Sequence, residues 1–370
     1  MKARIAIFLL ATVSLLWACT AGGGSIYSTL ENETKTTDNT LKNTIPIHDV
    51  ALHGDGNYYA AGGRIWRGTP GGTPGAETVD WDTTTPITPP VDGALCTALV
   101  EFPQPSGDLY GGFITQSGSV GLYKANGPSP AAATSFTTQI ANVLVVNKQV
   151  VLLAVVNGGT DLVVGTASPG DPFIYDLLLS DGTSYASLLA ATTTSPFTGV
   201  THTTNKYWAV SGTSLYAGTG VGTLAVDPTL VKSATTEVLT SVFSDNGTRL
   251  FVTSNLGFVY YSANEGASWT RNATAEKVSD ATVGFLAVAG ASGSGTMLVA
   301  SDGYGYYVLT VADPPTLARF AGSTIPLYTA SVRKFLIHGA RLFACTNSKG
   351  LWRNEVFNPA DCTVGSWIQE

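Results

Sequence analysis

Ionisable side chains are scarce in this chain. Only 12% of its 370 residues are Asp, Glu, Lys or Arg, and the 26 acidic ones outnumber the 19 basic ones. A nucleic-acid partner is held by Lys and Arg set against phosphates, so this composition excludes one. Histidine is scarcer still. His48, His53, His202 and His338 form no close pair on one strand beside a carboxylate, so no metal site is expected. His48 and His53 are five residues apart and face opposite sides of a regular strand. Four cysteines in a chain this long do not make a disulfide-stapled scaffold. There is no G-x-S-x-G nucleophile elbow. The Gly-rich stretches at 218–222 and 290–295 lack the lysine and following helix of a phosphate-binding loop and read as hairpin turns. No cofactor is implied. Sustained 3.6-residue periodicity is absent as well, which argues against a helical domain.

What the chain has in quantity is glycine (41 residues), aromatics (10%) and a wealth of Thr and Val. Thr, Val, Tyr and Trp suit pleated surfaces and glycine suits turns, so the composition points to an all-β protein. An all-β fold of this length is often a single domain.

The N-terminus carries a different signal. Met1, Lys2, Ala3 and Arg4 form a short basic segment, followed by an uncharged apolar run over residues 5–17. That run is too short to span a bilayer and has the length of a signal-peptide core. It ends in Leu16-Trp17-Ala18-Cys19. This resembles the lipobox of bacterial lipoproteins, with an aliphatic residue at −3, a small residue at −1 and the cysteine that becomes acylated; Trp17 at −2 departs from the usual small or aliphatic residue. The resemblance implies a signal peptide over 1–18, lipidation of Cys19 and anchoring to the bilayer of a bacterial cell envelope by several acyl chains. Loss of Lys2 and Arg4 would take the net charge from −7 to −9. Residues 19–44 comprise the lipidated cysteine and a Gly-, Thr- and Asn-rich stretch unsuited to burying a core, expected as a flexible tether. The alternative is that residues 25–30 add a strand to a closing blade.

Residues 45–370 repeat. An apolar segment, a polar turn, a Tyr-, Phe- or Val-rich strand, a glycine turn and a second aromatic strand recur, most clearly at 239–270 (LTSVFSDNGTRLFVTSNLGFVYYSANEGASWT) and 334–353 (KFLIHGARLFACTNSKGLWR). Seven units start near 45, 95, 141, 197, 239, 283 and 331. A period in the forties with several short strands per unit is the mark of a propeller. Trp81, Trp269 and Trp367 fall late in their units and are expected on the outer, fourth strand of each blade. The fold expected is a seven-bladed β-propeller of four-stranded antiparallel blades, whose closed ring leaves no open flank, and a monomer is expected.

In the fifth unit, Ser262, Asn264, Gly266, Ser268 and Trp269 resemble the Asp-box of BNR-repeat propellers, S-x-D-x-G-x-T-W, with Asn and Ser in place of Asp and Thr. The resemblance implies a structural turn between the third and fourth strands of a blade. Asp-box propellers include sialidases, which hold a substrate carboxylate with three arginines and share an R-I-P motif. Arg64-Ile65-Trp66 is not that motif, and Asp55, Glu265 and Asp302, the carboxylates a glycosidase would need as a pair, are scattered among turns. The chain is therefore expected not to be an enzyme, with a sialidase-like hydrolase as the alternative.

Across the blade, Cys345 and Cys362 should be separated by about two strand spacings, near 9.6 Å, beyond the roughly 7 Å that a disulfide tolerates; they and Cys96 are expected as buried thiols unless the loop over 354–361 folds back. In propellers the ligand face is built from second-to-third-strand turns and interblade connections. The larger side chains in those turns are Arg64, Gln116, Asn255, Tyr304 and Lys349, which become the candidate binding face. The function expected is an envelope scaffold that docks a protein or a glycan, with a surface adhesin as a further alternative. Envelope-assembly lipoproteins and photosystem-assembly factors are the analogies at the level of fold.

Overall fold

The computed structural model describes residue 41 and residues 46–370, apart from the short stretches 74–75, 105–106, 116–117, 127–132, 169–172, 246, 321–325, 348 and 355. Cys19, the signal peptide and the tether except Leu41 lie outside the described residues, as does Gln116; Leu41 is buried in the core between the last blade and the first, not part of a free tether.

Seven four-stranded antiparallel sheets follow one another along the chain, each ordered from an innermost first strand to an outer fourth strand. The innermost strands are Asp49–Leu52, Leu95–Phe102, Gln149–Val156, Phe197–His202, Leu239–Ser244, Phe285–Ala289 and Val332–His338. We number the blades 1 to 7 in that order. Blade 3 departs from its expected start near 141. Residues 142–148 look like a strand, being rich in Val and Leu, but form a turn. The Asn142 side chain accepts from the Leu144 amide at 2.9 Å, and its carbonyl accepts from Val145 and Val146, so the backbone is bonded locally and is lost to a ladder.

The second strands are buried on both faces: Tyr207–Ser211 and Leu250–Ser254 have no exposed residue. Burial on both sides explains why they read as unbroken apolar runs rather than as alternation. Each face packs on the next blade, and the core divides accordingly into seven clusters. Ala51, Tyr59 and Ile65 meet Leu99 and Phe113 between blades 1 and 2. Val50, Tyr58, Trp66 and Trp81 meet Phe343, Cys345 and Leu351 between blades 7 and 1. Five further clusters fill the other five seams. Seven seams for seven blades mean that the ring is closed.

Among the described residues no strand is exchanged at the closing seam; residues 25–30, the alternative closing strand, lie outside them. Blade 1 runs from Asp49 to Trp81, and blade 7 takes its outer strand from Trp367–Gln369. Among the described residues, side chains and one backbone bond make the join. The Ile47 amide donates to the Thr346 carbonyl at 3.0 Å. Lys334 pairs with Asp49, whose carboxylate also accepts from the amides of Val50 (2.9 Å) and Leu99 (3.0 Å), so one carboxylate bridges blades 7, 1 and 2. Burial would lower the Lys334 pKa, but the Asp49 charge outweighs it and the net shift is upward. Farther out, Glu370 accepts from Trp81 Nε1 at 2.8 Å and from Arg353 Nε at 2.6 Å.

Trp81 ends the outer strand of blade 1, Trp367 opens that of blade 7, and Trp269 directly precedes that of blade 5. Cys96, Cys345 and Cys362 are free and buried. Cys362 sits beyond the third strand of blade 7, beside the small hairpin Phe357–Asn358/Thr363–Val364, and donates to the Thr296 carbonyl of blade 6 at 3.3 Å.

Candidate binding face

In an up-and-down blade, the second-to-third-strand turn lies on the same side as the connection to the next blade. The same short bonds recur along this connection face. Cys96 donates to Gly63 (2.9 Å), Leu239 to Gly212 (2.9 Å), and Gly305 to Ala330 (2.9 Å). Each ties the turn of one blade to the entry of the next, and the Ile47–Thr346 bond is the same tie at the closing seam. The turns are thereby held beside the mouth of the central channel.

A second regularity is a β-bulge. In blades 2 to 7 the innermost strand sets one residue out of register: Thr97, Val151, Thr198, Thr240, Leu286 and Arg333. In blade 1 His48 holds the matching place, its amide donating at 2.8 Å to Ala61, the residue that also pairs with Asp49. Bulges re-aim a side chain and interrupt pairing. Here they occupy one level of the innermost strands, next to the interblade connections. His48, Thr198 and Arg333 are exposed. The His48 pKa is lowered by burial and by the nearby Arg333 charge, only partly offset by Asp49, so the imidazole lies in the field of the Arg333 guanidinium and is favoured in its neutral form.

The sequence candidates divide. Arg64 and Asn255 are exposed in the turns of blades 1 and 5. The Asn255 side chain also accepts from the Val238 amide at 2.9 Å, ordering the entry to its own blade. Tyr304 and Lys349 are half-buried and come near one another through residues 328–329. The Arg319 guanidinium lies 5.6 Å from the Tyr304 ring and 3.6 Å from the Tyr328 ring, and Lys349 Nζ donates to Thr329 at 2.9 Å. Among the described residues no hydrogen bond or ion pair holds the guanidinium of Arg64 or Arg333.

Apolar side chains were the part of this face that sequence reading missed. Val91, Leu95, Val143, Phe173, Val231 and Val238 are exposed, Val143 and Val231 by about 80%. All six lie in interblade connections, second-to-third-strand turns or the first residue after them. The signal available was hydrophobic residues in segments whose Pro, Asp and Asn content marks them as loops.

The Asp-box-like segment lies on the opposite face. Ser262 ends the third strand of blade 5, and its hydroxyl accepts from the Asn264 and Gly266 amides at 3.3 and 2.9 Å. Asn264 accepts from the Ser268 amide (2.9 Å) and donates to its hydroxyl (2.9 Å). Gly266 has φ +78°, and a Cβ there would stand 2.3 Å from the buried Trp208 ring. Trp269 meets Trp208 edge-on at 6.2 Å. The segment is a hydrogen-bonded turn closed by two indoles. Asp55 and Glu265 occupy turns on this opposite face, in blades 1 and 5, while Asp302 lies on the connection face in blade 6. The three do not converge. Among the described residues no three His, Cys, Asp or Glu side chains gather as metal ligands.

Fold and face together define a seven-bladed propeller whose connection face carries exposed apolar side chains and two exposed arginines, Arg64 and Arg333. No family model matches the chain, and no curated protein matches it in sequence. Solved structures do share its fold. YCF48 from Cyanidioschyzon merolae is 13% identical, with a TM-score of 0.55 over 84% of this chain and 95% of that one. The WD40 propeller domain of Doa1 is 10% identical, with a TM-score of 0.56 over 90% and 95%. YCF48 bound to a D1 peptide is 15% identical, with a TM-score of 0.53 over 85% and 93%. At these identities the likeness establishes the architecture.

Proposed function

We propose that this protein is a lipid-anchored scaffold of the bacterial cell envelope that docks a partner protein on the connection face of its propeller. The observation that carries the docking reading is the set of exposed Val, Leu and Phe side chains on the connection face, which also carries the guanidinium groups of Arg64 and Arg333, unpaired among the described residues. In a chain with so few charges, apolar side chains left in water on a face that also carries such arginines are the composition of an interface centre. A propeller of the same fold bound to a peptide supports this use of the architecture. The anchoring reading rests on Leu16-Trp17-Ala18-Cys19 and on the basic and apolar segments before it. A hydrolase of sialidase type is disfavoured because Asp55, Glu265 and Asp302 stand on separate blades.

The test is site-directed photocrosslinking in the native envelope. Probes at Val143, Phe173 and Val231 should capture a discrete partner, and probes at Val356 and Ile368 should not. Arg64→Glu with Arg333→Glu should reduce the capture at least tenfold. Equal crosslinking from both sets of positions, or none from either, would sink the docking reading. In the same cells Cys19→Ser should release the protein from the membrane fraction. Its retention there at the wild-type level would reject the lipid anchor.

A further inference from the structure

A cluster of buried ionisable groups lies away from the candidate face, at the seam between blades 1 and 2. His53 follows the innermost strand of blade 1 and is 1% exposed; Glu101, near the end of the innermost strand of blade 2, is 4% exposed. His53 Nδ1 faces Asp55 Oδ1 at 3.1 Å, and its ring meets Tyr59 edge-on at 5.7 Å. Asp55 is already well supplied: it accepts from the Asn57 amide (2.9 Å), the Asn57 side chain (2.9 Å) and the Tyr59 hydroxyl (2.7 Å). These bonds, against the effect of burial, hold its pKa down at about 2. Glu101 receives the Gly54 amide from the blade 1 turn and the Gly107 amide, yet among the described residues its Oε1 and the His53 Nε2 have no hydrogen-bond partner. Asp108 stands nearby, paired with Lys124 at 3.0 Å. The Arg67 charge acts on Tyr59.

The charge balance of this seam depends on one proton. With Glu101 protonated, the buried groups are one carboxylate, one imidazolium and one neutral acid, alongside the Asp108–Lys124 pair. With Glu101 ionised, Asp55, Glu101 and Asp108 surround a single imidazole, and one buried negative charge is uncompensated. We propose that this seam is a proton-operated clasp, in which protonated Glu101 keeps the 53–57 turn docked on blade 2 and ionised Glu101 releases it.

The direction follows from both partners. Burial is the main reason that the Glu101 pKa is pushed up to about 7. Burial would lower the His53 pKa, but Asp55, Glu101 and Asp108 outweigh it and raise it. A group whose pKa is raised in the folded state contributes stability below its unfolded value and loses it as pH rises through the folded one. For Glu101 the loss runs from about 4.5 to about 7, and for His53 it begins at 6.5. Both therefore loosen the seam as the pH rises.

Hydrogen exchange on the full chain tests this. After correction for intrinsic rates, protection of residues 53–58 and 99–104 should fall at least tenfold between pH 5.5 and 8.5, while that of residues 207–211 stays level. Glu101→Gln should remove most of the fall. Equal pH dependence in wild type and variant, or a fall shared by residues 207–211, would overturn the clasp. Should the variant not fold, carbon-13 NMR of the wild-type carboxyl and imidazole groups decides. Titration of Glu101 near 4.5 and His53 near 6.5 would refute the proposal, and titration of Glu101 near 7 would uphold it.

Discussion

Gly266 shows how much a single position can carry. Its positive φ is a conformation that L side chains rarely adopt, and the Trp208 ring occupies the place where a Cβ would go. Trp208 is fully buried and cannot swing aside. Gly266→Ala should therefore destabilise the protein by about 2–4 kcal/mol, the combined scale of backbone strain and overpacking, read as a lower denaturation midpoint at unchanged slope. This residue was legible in the sequence, because the Ser-x-Asn-x-Gly-x-Ser-Trp spacing is local. Glu101 and His53 were not. They are 48 positions apart and meet only because adjacent blades meet. A weaker signal did exist: in a chain with 12% charged residues, a glutamate inside Leu99-Val100-Glu101-Phe102 is out of place unless something is built around it.

At the scale of strands and turns, the blades announced themselves because each second strand is buried on both faces and each tight turn needs glycine. The third blade misled for the same reason. Val143, Leu144, Val145 and Val146 have strand composition, and only the capping by Asn142 turns them into a loop. The bulges left no trace at all. Their residues are His, Thr, Val, Thr, Thr, Leu and Arg, so the position is fixed by the geometry of an innermost strand and not by residue type. This makes a prediction. Thr198 is exposed and among the described residues its side chain holds no bond, so Thr198→Ala should change stability by less than about 0.5 kcal/mol. Deleting Thr198 should keep Phe197 and Gly199 opposite Ser211 and Val210 but cost about 1–3 kcal/mol, because losing the bulge re-aims the buried Phe197 side chain. Chemical denaturation of the two variants side by side provides the comparison.

For the whole molecule, the seven-fold closure was legible from the period alone, whereas the means of closure was not. Asp49 looks like any strand residue until Lys334, 285 positions later, arrives beside it. Asp49→Asn should destabilise the ring by about 1–2 kcal/mol, since it leaves the Lys334 ammonium without its counter-charge while partial solvent exposure moderates the loss. Asp49→Asn combined with Lys334→Met should recover part of the loss. A double-mutant cycle with a coupling below about 0.5 kcal/mol would show that the pair does not help to close the ring.

Among the described residues no strand is exchanged at that seam, and this has a mechanical side. Six of the seven junctions between blades are backed by the continuous polypeptide, and the seventh is held by Ile47–Thr346, Asp49–Lys334, Trp81–Glu370 and the side chains packed between them. Tension applied to the chain ahead of Ile47 would be delivered to that junction in a peeling direction, one bond after another, before any other blade felt it. The ring therefore has a preferred place to part, and it lies where the segment leading from Cys19 enters the propeller.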